Sequence, residues 1–420
     1  MSADDDVEKQ VRELCREARA AGRRLAQANT AAKNAALRAA AAGLRTHGAR
    51  LLEANARDLS AAGSLSAAFR DRLALSPERI ETMARGVEEV LALPDPVGDS
   101  IAAWRRPNGL EIRQVRIPIG VIAILYESRP NVTADAAALC LKSGNAAILK
   151  GGSEALHTNA AIADLFLAAL DGAELPPAAV QLLRTKERAA TRALLRQNDL
   201  VDVIVPRGGK ELIRAIETES TIPVIKHLEG VCQLYVDRAA DLAQAGRICV
   251  NAKAQRPGVC NAIENLLVHR DIAEEFLPRM VRALEAEGVE VRGCAETRRI
   301  VSTVRAASEE DWATEYLDKI LSVKVVDSME DALEFIERYG SGLADAIVTE
   351  DYSAARRFLA AVDSAAVFVN ASTRFTDGFE FGFGAEIGIS TNRLHARGPM
   401  GLRELTTYKY LVLGAGQVRE

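Results

Sequence analysis

Short apolar runs alternate with helix-like segments over most of this chain, and this alternation restricts the fold more than any other feature. The run 118–125 is continuous and apolar, as is typical of a strand buried in a parallel sheet. Further strands are predicted at 145–150, 180–183 and 201–205, with helical patterns between them. This order predicts a doubly wound α/β domain built on a parallel sheet.

A second alternation of the same kind follows a predicted boundary at Ile222-Pro223. Its strands are expected at 232–236, 262–268, 320–326, 345–348 and 366–369. The region ahead of the first sheet, 7–57, is rich in Ala, Arg, Glu and Leu with helical periodicity, and it predicts two long helices. Two further strands, 109–117 and 405–413, have no helical partner and are expected to pair with a neighbouring subunit.

Composition excludes several kinds of partner. The 420 residues carry a net charge of −5, which gives no electrostatic reason to expect nucleic acid or an anionic membrane. No uninterrupted apolar run reaches about 18 residues, so no membrane span is expected. The acidic segment 1–10 does not resemble a signal peptide. Six cysteines without a C-x-x-C pair favour a reducing cytoplasm and indicate no metal site.

Cys260 is the candidate nucleophile. It follows a Pro257-Gly258 turn between a predicted helix and a predicted strand, and such a turn leaves a thiol accessible and rigidly aimed. The nearby cations Lys253 and Arg256 would favour its thiolate form. The alternative interpretation is a buried structural thiol, the commonest state of a single cysteine. None of the other five cysteines has an Arg-Pro-Gly turn in front of it.

Two glycine-rich turns are suited to phosphate binding. Lys150 and Ser153 flank a Gly-Gly pair where a strand meets its helix, and Arg207, Gly208 and Gly209 repeat this arrangement two strands later. Glycines allow close backbone approach, and a helix N-terminus favours an anion. The carboxyl edge of a parallel sheet is where nucleotides bind, so both turns predict a nucleotide site. The G-x-G-x-x-G fingerprint is absent.

Five segments, in the same order, resemble the aldehyde dehydrogenase superfamily and, within it, the gamma-glutamyl phosphate reductase family. They are Tyr-Glu-Ser-Arg-Pro-Asn at 126–131, Lys-Ser-Gly-Asn-Ala-Ala-Ile-Leu-Lys-Gly-Gly at 142–152, Gln-Arg-Pro-Gly-Val-Cys-Asn-Ala at 255–262, Asn-Ala-Ser-Thr-Arg-Phe-Thr-Asp-Gly at 370–378 and Leu-His-Ala-Arg-Gly-Pro at 394–399. The resemblance covers nearly the whole chain. It departs after Tyr339-Gly-Ser-Gly, where Leu343 and Ala344 replace the usual His and Ser or Thr.

The resemblance implies a reaction and a domain organisation. The reaction is the NADPH-dependent reduction of L-glutamyl 5-phosphate to glutamate 5-semialdehyde with release of phosphate, through a thioester on Cys260. The implied fold is aldehyde dehydrogenase-like, with two doubly wound parallel-sheet domains and a β-strand extension for oligomerisation. The domains are 1–104 and 121–222 for NADPH binding, 223–395 for catalysis, and 105–120 with 396–420 for oligomer contacts. A cytoplasmic homo-oligomer is expected, and the glutamate 5-kinase that makes the substrate is a candidate partner.

The same resemblance implies roles for individual residues. Lys150 matches a lysine that contacts the adenosine ribose, and Glu315 matches a glutamate that holds the nicotinamide ribose. Ser153 stands where NAD-preferring relatives place a glutamate, which leaves room for the 2′-phosphate of NADPH. Arg129 and Arg374 are expected to bind the α-carboxylate of the substrate, because a guanidinium matches a carboxylate with two parallel hydrogen bonds.

His227 supports the phosphorylating branch of the superfamily. It lies 33 residues before Cys260, close to where hydrolytic relatives carry the glutamate that activates water. Losing that carboxylate protects a thioester from hydrolysis. Two other interpretations stay open from the sequence: an aldehyde dehydrogenase acting on another small semialdehyde, and a nucleotide-binding protein without covalent chemistry.

Overall fold

The computed structural model describes residues 3–61, 63, 67–127, 129–226 and 229–419. The chain forms two compact units. Unit 1 comprises Met1–Lys226, Gly382–Gly388 and Met400–Glu420, and unit 2 comprises His227–Phe381 and Ile389–Pro399. The segment Gly382–Gly388 thus groups with unit 1, although the sequence assigned it to the second domain. In the described part of the chain, no helix is long and apolar enough to cross a bilayer.

The elements are numbered along the chain. The helices are α1 (Ala3–Leu25), α2 (Thr30–Thr46), α3 (Gly48–Ala61), α4 (Ala67–Leu73), α5 (Pro77–Ala92), α6 (Pro130–Lys142), α7 (Leu156–Gly172), α8 (Arg188–Leu194), α9 (Lys210–Glu219), α10 (Leu242–Ala254), α11 (Arg270–Ala286), α12 (Ala295–Ile300), α13 (Met329–Tyr339) and α14 (Tyr352–Ala361). The strands are β1 (Ser100–Arg105), β2 (Glu111–Pro118), β3 (Val121–Tyr126), β4 (Ala146–Lys150), β5 (Val180–Leu182), β6 (Val203–Arg207), β7 (Cys232–Val236), β8 (Ile263–His269), β9 (Glu290–Gly293), β10 (Arg305–Ala306), β11 (Ile320–Val326), β12 (Ala344–Val348), β13 (Ala366–Val369), β14 (Gly388–Ser390), β15 (Gly398–Met400) and β16 (Thr406–Leu413).

Unit 1 is built on a parallel sheet with the strand order β5-β4-β3-β6. Every residue of β3 is buried, as the continuous apolar run predicts. Helix α1 covers one face, where Cys15 and Ala18 pack with Val121 and Ala123 in one apolar cluster. Helices α6 and α7 contact β4 and β5. The predicted doubly wound sheet is therefore confirmed for this unit.

The N-terminal region differs from the prediction of two long helices, because it forms α1, α2 and α3. Asn29 divides the pattern: its side-chain oxygen accepts a hydrogen bond from the N–H of Ala32 at 2.9 Å and so caps α2. Asparagine is among the preferred residues at this position, since its short side chain satisfies an N–H group that has no partner within the helix. The helical periodicity of Ala and Arg continues across residues 26–29, so the sequence pattern does not show the break between α1 and α2.

A separate antiparallel sheet in unit 1 has the order β1-β2-β16. All six residues of β1 are exposed, and so are the residues of β16 from Tyr408 onward. The rings of Trp104 and Tyr410 meet edge to face at 6.1 Å between centroids. Strand β1 was not predicted, because the prolines and glycine just before it indicated only the end of a helical region.

Unit 2 contains a larger parallel sheet with the order β10-β9-β11-β8-β7-β12-β13. Side chains of β7 alternate between two apolar clusters: Leu234 and Val236 face one, and Tyr235 faces the other. Helices α10 and α11 cover the first cluster, and α13 and α14 cover the second. Helices on both faces of a parallel sheet make this unit doubly wound as well, which confirms the predicted fold class.

Candidate active site

Cys260 lies in the turn that connects α10 to β8. It is half-buried and packs against the larger apolar cluster of unit 2. Burial raises the pKa of Cys15, Cys140 and Cys249 to about 12, so these thiols are inert near neutral pH. Cys232 is buried as well, so Cys260 is more exposed than these four cysteines. Cys294, at the start of α12, is also half-buried.

Gly230 lets the backbone pass directly over Cys260. A Cβ at position 230 would lie 2.6 Å from the Cβ of Cys260 and 2.6 Å from its Cα, closer than real side chains approach. The Sγ–H of Cys232, two residues further on, donates to the carbonyl oxygen of Cys260 at 3.3 Å. The start of β7 therefore supports the cysteine from one side, and only glycine fits at position 230.

The segment that carries Arg374 holds the cysteine turn from another side. The Nε of Arg374 donates to the side-chain oxygen of Gln255 at 2.9 Å. A second nitrogen of the same guanidinium group donates to the side-chain oxygen of Asn261. The Nδ2 of Asn261 donates in turn to the carbonyl oxygen of Thr376 at 2.8 Å. Burial lowers the pKa of Arg374, and Cys260 is among the groups whose charge acts on it. Arg374 therefore lies beside Cys260 and anchors the loop that carries it.

Lys253 has a partner that the sequence did not reveal. Its Nζ lies 2.5 Å from a carboxylate oxygen of Glu264, and neither side chain is exposed. The positive charge of Lys253 is thus paired with Glu264, whereas Arg256 is exposed in the loop itself. Glu264 stands four residues after Cys260 in an apolar strand, and a carboxylate in such a strand is the signal that sequence reasoning overlooked.

Glu315 lies in the same unit as Cys260 and close to this ion pair. It is half-buried just before β11, and its negative charge contributes to the raised pKa of Glu264. Burial is the larger cause of this rise, and the ion pair with Lys253 opposes it and favours the charged carboxylate. The residue predicted to hold the nicotinamide ribose is thus near the loop of the predicted nucleophile.

Lys150 and Ser153 lie at the carboxyl end of β4 in unit 1. The Nζ of Lys150 donates to the carbonyl oxygen of Gly151 at 2.8 Å, and burial lowers the pKa of this lysine while Glu154 opposes the shift. Ser153 is exposed, and its hydroxyl lies 3.4 Å from a carboxylate oxygen of Glu154. The carboxylate of Glu154 bends back over Gly152, where an added Cβ would lie 2.6 Å from its Cδ.

The second predicted phosphate turn lies at the same edge of this sheet. In β3, Leu125 pairs with Lys150 of β4 and Tyr126 pairs with Arg207 of β6. The carboxylate of Glu127 accepts the N–H of Gly209 at 2.9 Å, next to the first residue of α9. An anion of the chain itself therefore lies at the turn that the glycines predict for phosphate. Sequence reasoning missed Glu127, although the family string at 126–131 contains it.

The other predicted positions divide between the units. Arg129 is exposed directly before α6 in unit 1, and Arg374 belongs to unit 2. His227, the predicted replacement of the hydrolytic base, lies outside the described residues. Leu343 and Ala344, where the chain departs from the family pattern, are buried in the larger apolar cluster of unit 2. These two positions thus serve packing.

Two doubly wound parallel sheets, an antiparallel extension and a cysteine on the loop before a central strand define an aldehyde dehydrogenase fold. Residues 2–319 match the model of the aldehyde dehydrogenase family. A curated gamma-glutamyl phosphate reductase from Moorella thermoacetica is 56% identical over 405 residues, which cover 96% of this chain and 97% of the relative. The chain belongs to the aldehyde dehydrogenase family and, within it, to the gamma-glutamyl phosphate reductases.

Solved structures agree with this membership. The crystal structure of gamma-glutamyl phosphate reductase from Thermotoga maritima matches with a TM-score of 0.96 at 48% identity, over 98% of this chain and 100% of that chain. A glyceraldehyde-3-phosphate dehydrogenase from Methanocaldococcus jannaschii, solved in complex with NADP, shares the fold. It has a TM-score of 0.66 at 16% identity and covers 97% of this chain and 94% of its own.

Proposed function

We propose that this chain reduces L-glutamyl 5-phosphate to L-glutamate 5-semialdehyde with release of phosphate, a step of proline biosynthesis. The observation that carries the proposal is the 56% identity to a gamma-glutamyl phosphate reductase along nearly the full length of both chains. The resemblance of the cysteine loop to that family and its rigid support by Gly230 agree with a covalent mechanism.

The chemistry begins at the thiolate of Cys260. Its Sγ attacks the acyl carbon, a C–S bond forms, and the C–O bond to phosphate breaks with the electron pair leaving on phosphate. An acyl phosphate is already activated, so the chain need not supply a strong acid for this departure. NADPH, when bound, supplies the hydride that reduces the resulting thioester. Cys260 then leaves as a thiolate when the aldehyde forms, and the loop contacts of Arg374 keep the sulfur in place.

We infer that unit 1 provides the cofactor site, with Lys150 and Ser153 at the ribose and the Arg207-Gly208-Gly209 turn near the phosphates. Membership of the aldehyde dehydrogenase family supports a nicotinamide dinucleotide cofactor. The small, exposed Ser153 supports the choice of NADPH because it leaves room for a 2′-phosphate, whereas the carboxylate of Glu154, 3.4 Å from its hydroxyl, opposes that choice. Glu315, in unit 2, is proposed to hold the nicotinamide ribose.

Cofactor preference is expected to follow the charge around Ser153. Ser153→Glu adds a carboxylate where the 2′-phosphate is proposed to lie, and it should shift the NADPH/NADH ratio of kcat/KM at least about tenfold toward NADH. Glu154→Gln removes a nearby carboxylate and should shift the ratio the other way. Ser153→Ala is the uncharged control and should leave the ratio within about twofold. Equal ratios in all three variants would place the ribose pocket elsewhere.

Substrate recognition is proposed to use Arg374 and Arg129, each a donor for the α-carboxylate of glutamyl phosphate. The position of Arg374 beside Cys260 supports its assignment.

We also propose residues 223–395 as the catalytic domain, and residues 105–120 with 396–420 as oligomerisation strands. The exposed faces of β1 and β16 support a homo-oligomer. A cytoplasmic location is proposed from the unpatterned cysteines, and transfer from the glutamate 5-kinase would protect a hydrolysable acyl phosphate.

The experiment that tests the proposed function is the reverse reaction with and without phosphate. If His227 replaces the hydrolytic base, the thioester on Cys260 has no efficient route to water. Glutamate 5-semialdehyde and NADP should then give at most one equivalent of NADPH per active site without phosphate, and sustained turnover with it. Absorbance at the NADPH band measures both phases.

Arsenate is the positive control, because a similar oxyanion can accept the acyl group and should restore turnover. His227→Glu is the matched variant and should introduce slow turnover without phosphate. Sustained phosphate-free turnover by the unmodified chain would contradict the proposal and favour a hydrolytic aldehyde dehydrogenase of another small semialdehyde.

A further inference from the structure

A buried ion pair closes the loop that carries Cys260. Lys253 lies in the last turn of α10, and Glu264 is the second residue of β8. The Nζ of Lys253 lies 2.5 Å from Oε2 of Glu264, and both side chains are 0% exposed. Two charges in an apolar interior are tolerated only when they are closely paired. The pair therefore fixes the distance between the two ends of the segment 254–263.

Glu264 also holds a second segment. Its other carboxylate oxygen accepts the N–H of Leu317 at 3.4 Å. Leu317 has a φ of 51°, in the left-handed region that residues other than glycine rarely adopt, so its conformation needs support from its surroundings. A Cβ on Gly258 would lie 3.6 Å from the carbonyl oxygen of Leu317, an ordinary contact distance. The segment 315–317 is thus hydrogen-bonded to the strand that follows the cysteine loop, and it lies close to Gly258 of that loop.

Further ionisable groups lie near the pair, and they range from the buried Cys232 to the exposed Asp318. Electrostatic interactions with Asp318 and Cys232 raise the pKa of Lys253. The negative charge of Glu315 raises the pKa of Glu264. The ring of Tyr316 lies 5.8 Å from the Nζ of Lys253, within the range of a cation–π contact. Burial lowers the pKa of Lys253, and the pairing with Glu264 opposes that shift.

We propose that Lys253 and Glu264 are positioning residues that form a clasp. We use this name for the ion pair together with the contact of Glu264 to Leu317. The clasp closes the segment 254–263 around Cys260 and ties it to 315–317, so that the thiol and Glu315 keep a fixed relation. This inference rests on the proposed function, in which Cys260 is the nucleophile and Glu315 contacts the cofactor.

Two double variants separate the two parts of the clasp. Lys253→Met/Glu264→Leu removes both charges and the acceptor for the N–H of Leu317. Lys253→Met/Glu264→Gln removes both charges but keeps an oxygen for that N–H. Neither variant leaves an unpaired buried charge, and uncharged replacements of such pairs of similar size commonly keep the fold.

Two readouts do not depend on the reductase reaction: the rate constant for alkylation of Cys260 by iodoacetamide, and the affinity for NADPH measured by its fluorescence. Both double variants are expected to change the alkylation rate at least about threefold, because the loop is no longer closed by the ion pair. Only the Leu variant should also lose affinity for NADPH, by roughly tenfold, since only it releases the segment of Glu315. In turnover, kcat should fall while the KM for the acyl phosphate stays unchanged.

The buried pair Lys33–Asp95 of unit 1, at 2.6 Å and 1% and 6% exposed, provides a matched control. Lys33→Met/Asp95→Asn should lower the melting temperature without changing the alkylation rate of Cys260. Folded clasp variants with wild-type alkylation rate and wild-type NADPH affinity would overturn the inference. If the Leu variant unfolds, the alkylation rate of the Gln variant tests the inference alone, and a wild-type rate in that variant would overturn it. Absence of glutamyl phosphate reduction by the wild type would refute the proposed function, while these two readouts still judge the clasp.

Discussion

Cys260→Ser is expected to abolish turnover, with kcat/KM falling at least about 10⁴-fold, a loss typical of removing a catalytic nucleophile. A serine hydroxyl stays protonated near neutral pH and is a far weaker nucleophile than a thiolate. The fold should survive, because the contacts that Gly230 and Cys232 make with this residue involve its backbone and Cβ, which serine retains. Steady-state kinetics measure the loss, and NADPH fluorescence with thermal unfolding shows that the variant is intact.

Cys294→Ser is the matched control for this variant. Cys294 is the other half-buried cysteine, and its sulfur accepts the N–H of Thr297 at 3.4 Å at the start of α12. Serine is a preferred residue at such a position, so this variant should fold and keep activity within about twofold. Iodoacetamide should inactivate the wild type, and bound substrate should protect the wild type from this inactivation. Substantial turnover by Cys260→Ser would refute the covalent mechanism.

Strands that are buried on both faces were predictable from the sequence. Those at 232–236 and 320–326 match β7 and β11 to the residue, because each mostly apolar run ends at a polar turn residue. The half-buried edge strand predicted at 366–369 also matches β13 to the residue. Helix α13 begins at a local signal of the same kind, because Ser328 caps it by accepting the N–H of Asp331. A helix or strand is therefore predictable from the sequence when its hydrophobic pattern is strong and its ends carry clear capping or turn residues.

Features that depend on tertiary contacts were not predictable in the same way. The exposed strand β1 has no apolar alternation, since its stability comes from pairing with β2. Glu127 accepts the N–H of Gly209, which is distant from it in sequence. Glu264 is close in sequence to Cys260 and accepts the N–H of Leu317. Neither position alone indicates that its carboxylate accepts a backbone N–H. Cys260 could be proposed as the nucleophile because a Pro-Gly turn is a local signal, whereas its supporting contacts come from other strands and loops.

Gly230→Ala is expected to be the most damaging single-methyl change near the nucleophile. The φ of Gly230 is not positive, so the glycine is required by close approach and not by an unusual backbone conformation. An added Cβ would lie 2.6 Å from both Cα and Cβ of Cys260, and neither atom belongs to a flexible side-chain end. The start of β7 or the cysteine turn must therefore shift. A displacement of about 1 Å in such a group costs on the order of 100-fold in rate.

Overpacking of this kind also costs about 1–3 kcal/mol of unfolding free energy, so kinetics and thermal unfolding should both respond. Gly246 is the matched control: it lies in α10, the helix that leads to Cys260, and a Cβ there would meet nothing within 4 Å. Gly246→Ala should therefore stabilise the chain by about 0.5–1 kcal/mol, because alanine favours a helix interior, and should leave kcat unchanged. Wild-type kcat in Gly230→Ala would show that the backbone at 230 does not fix the position of the thiol.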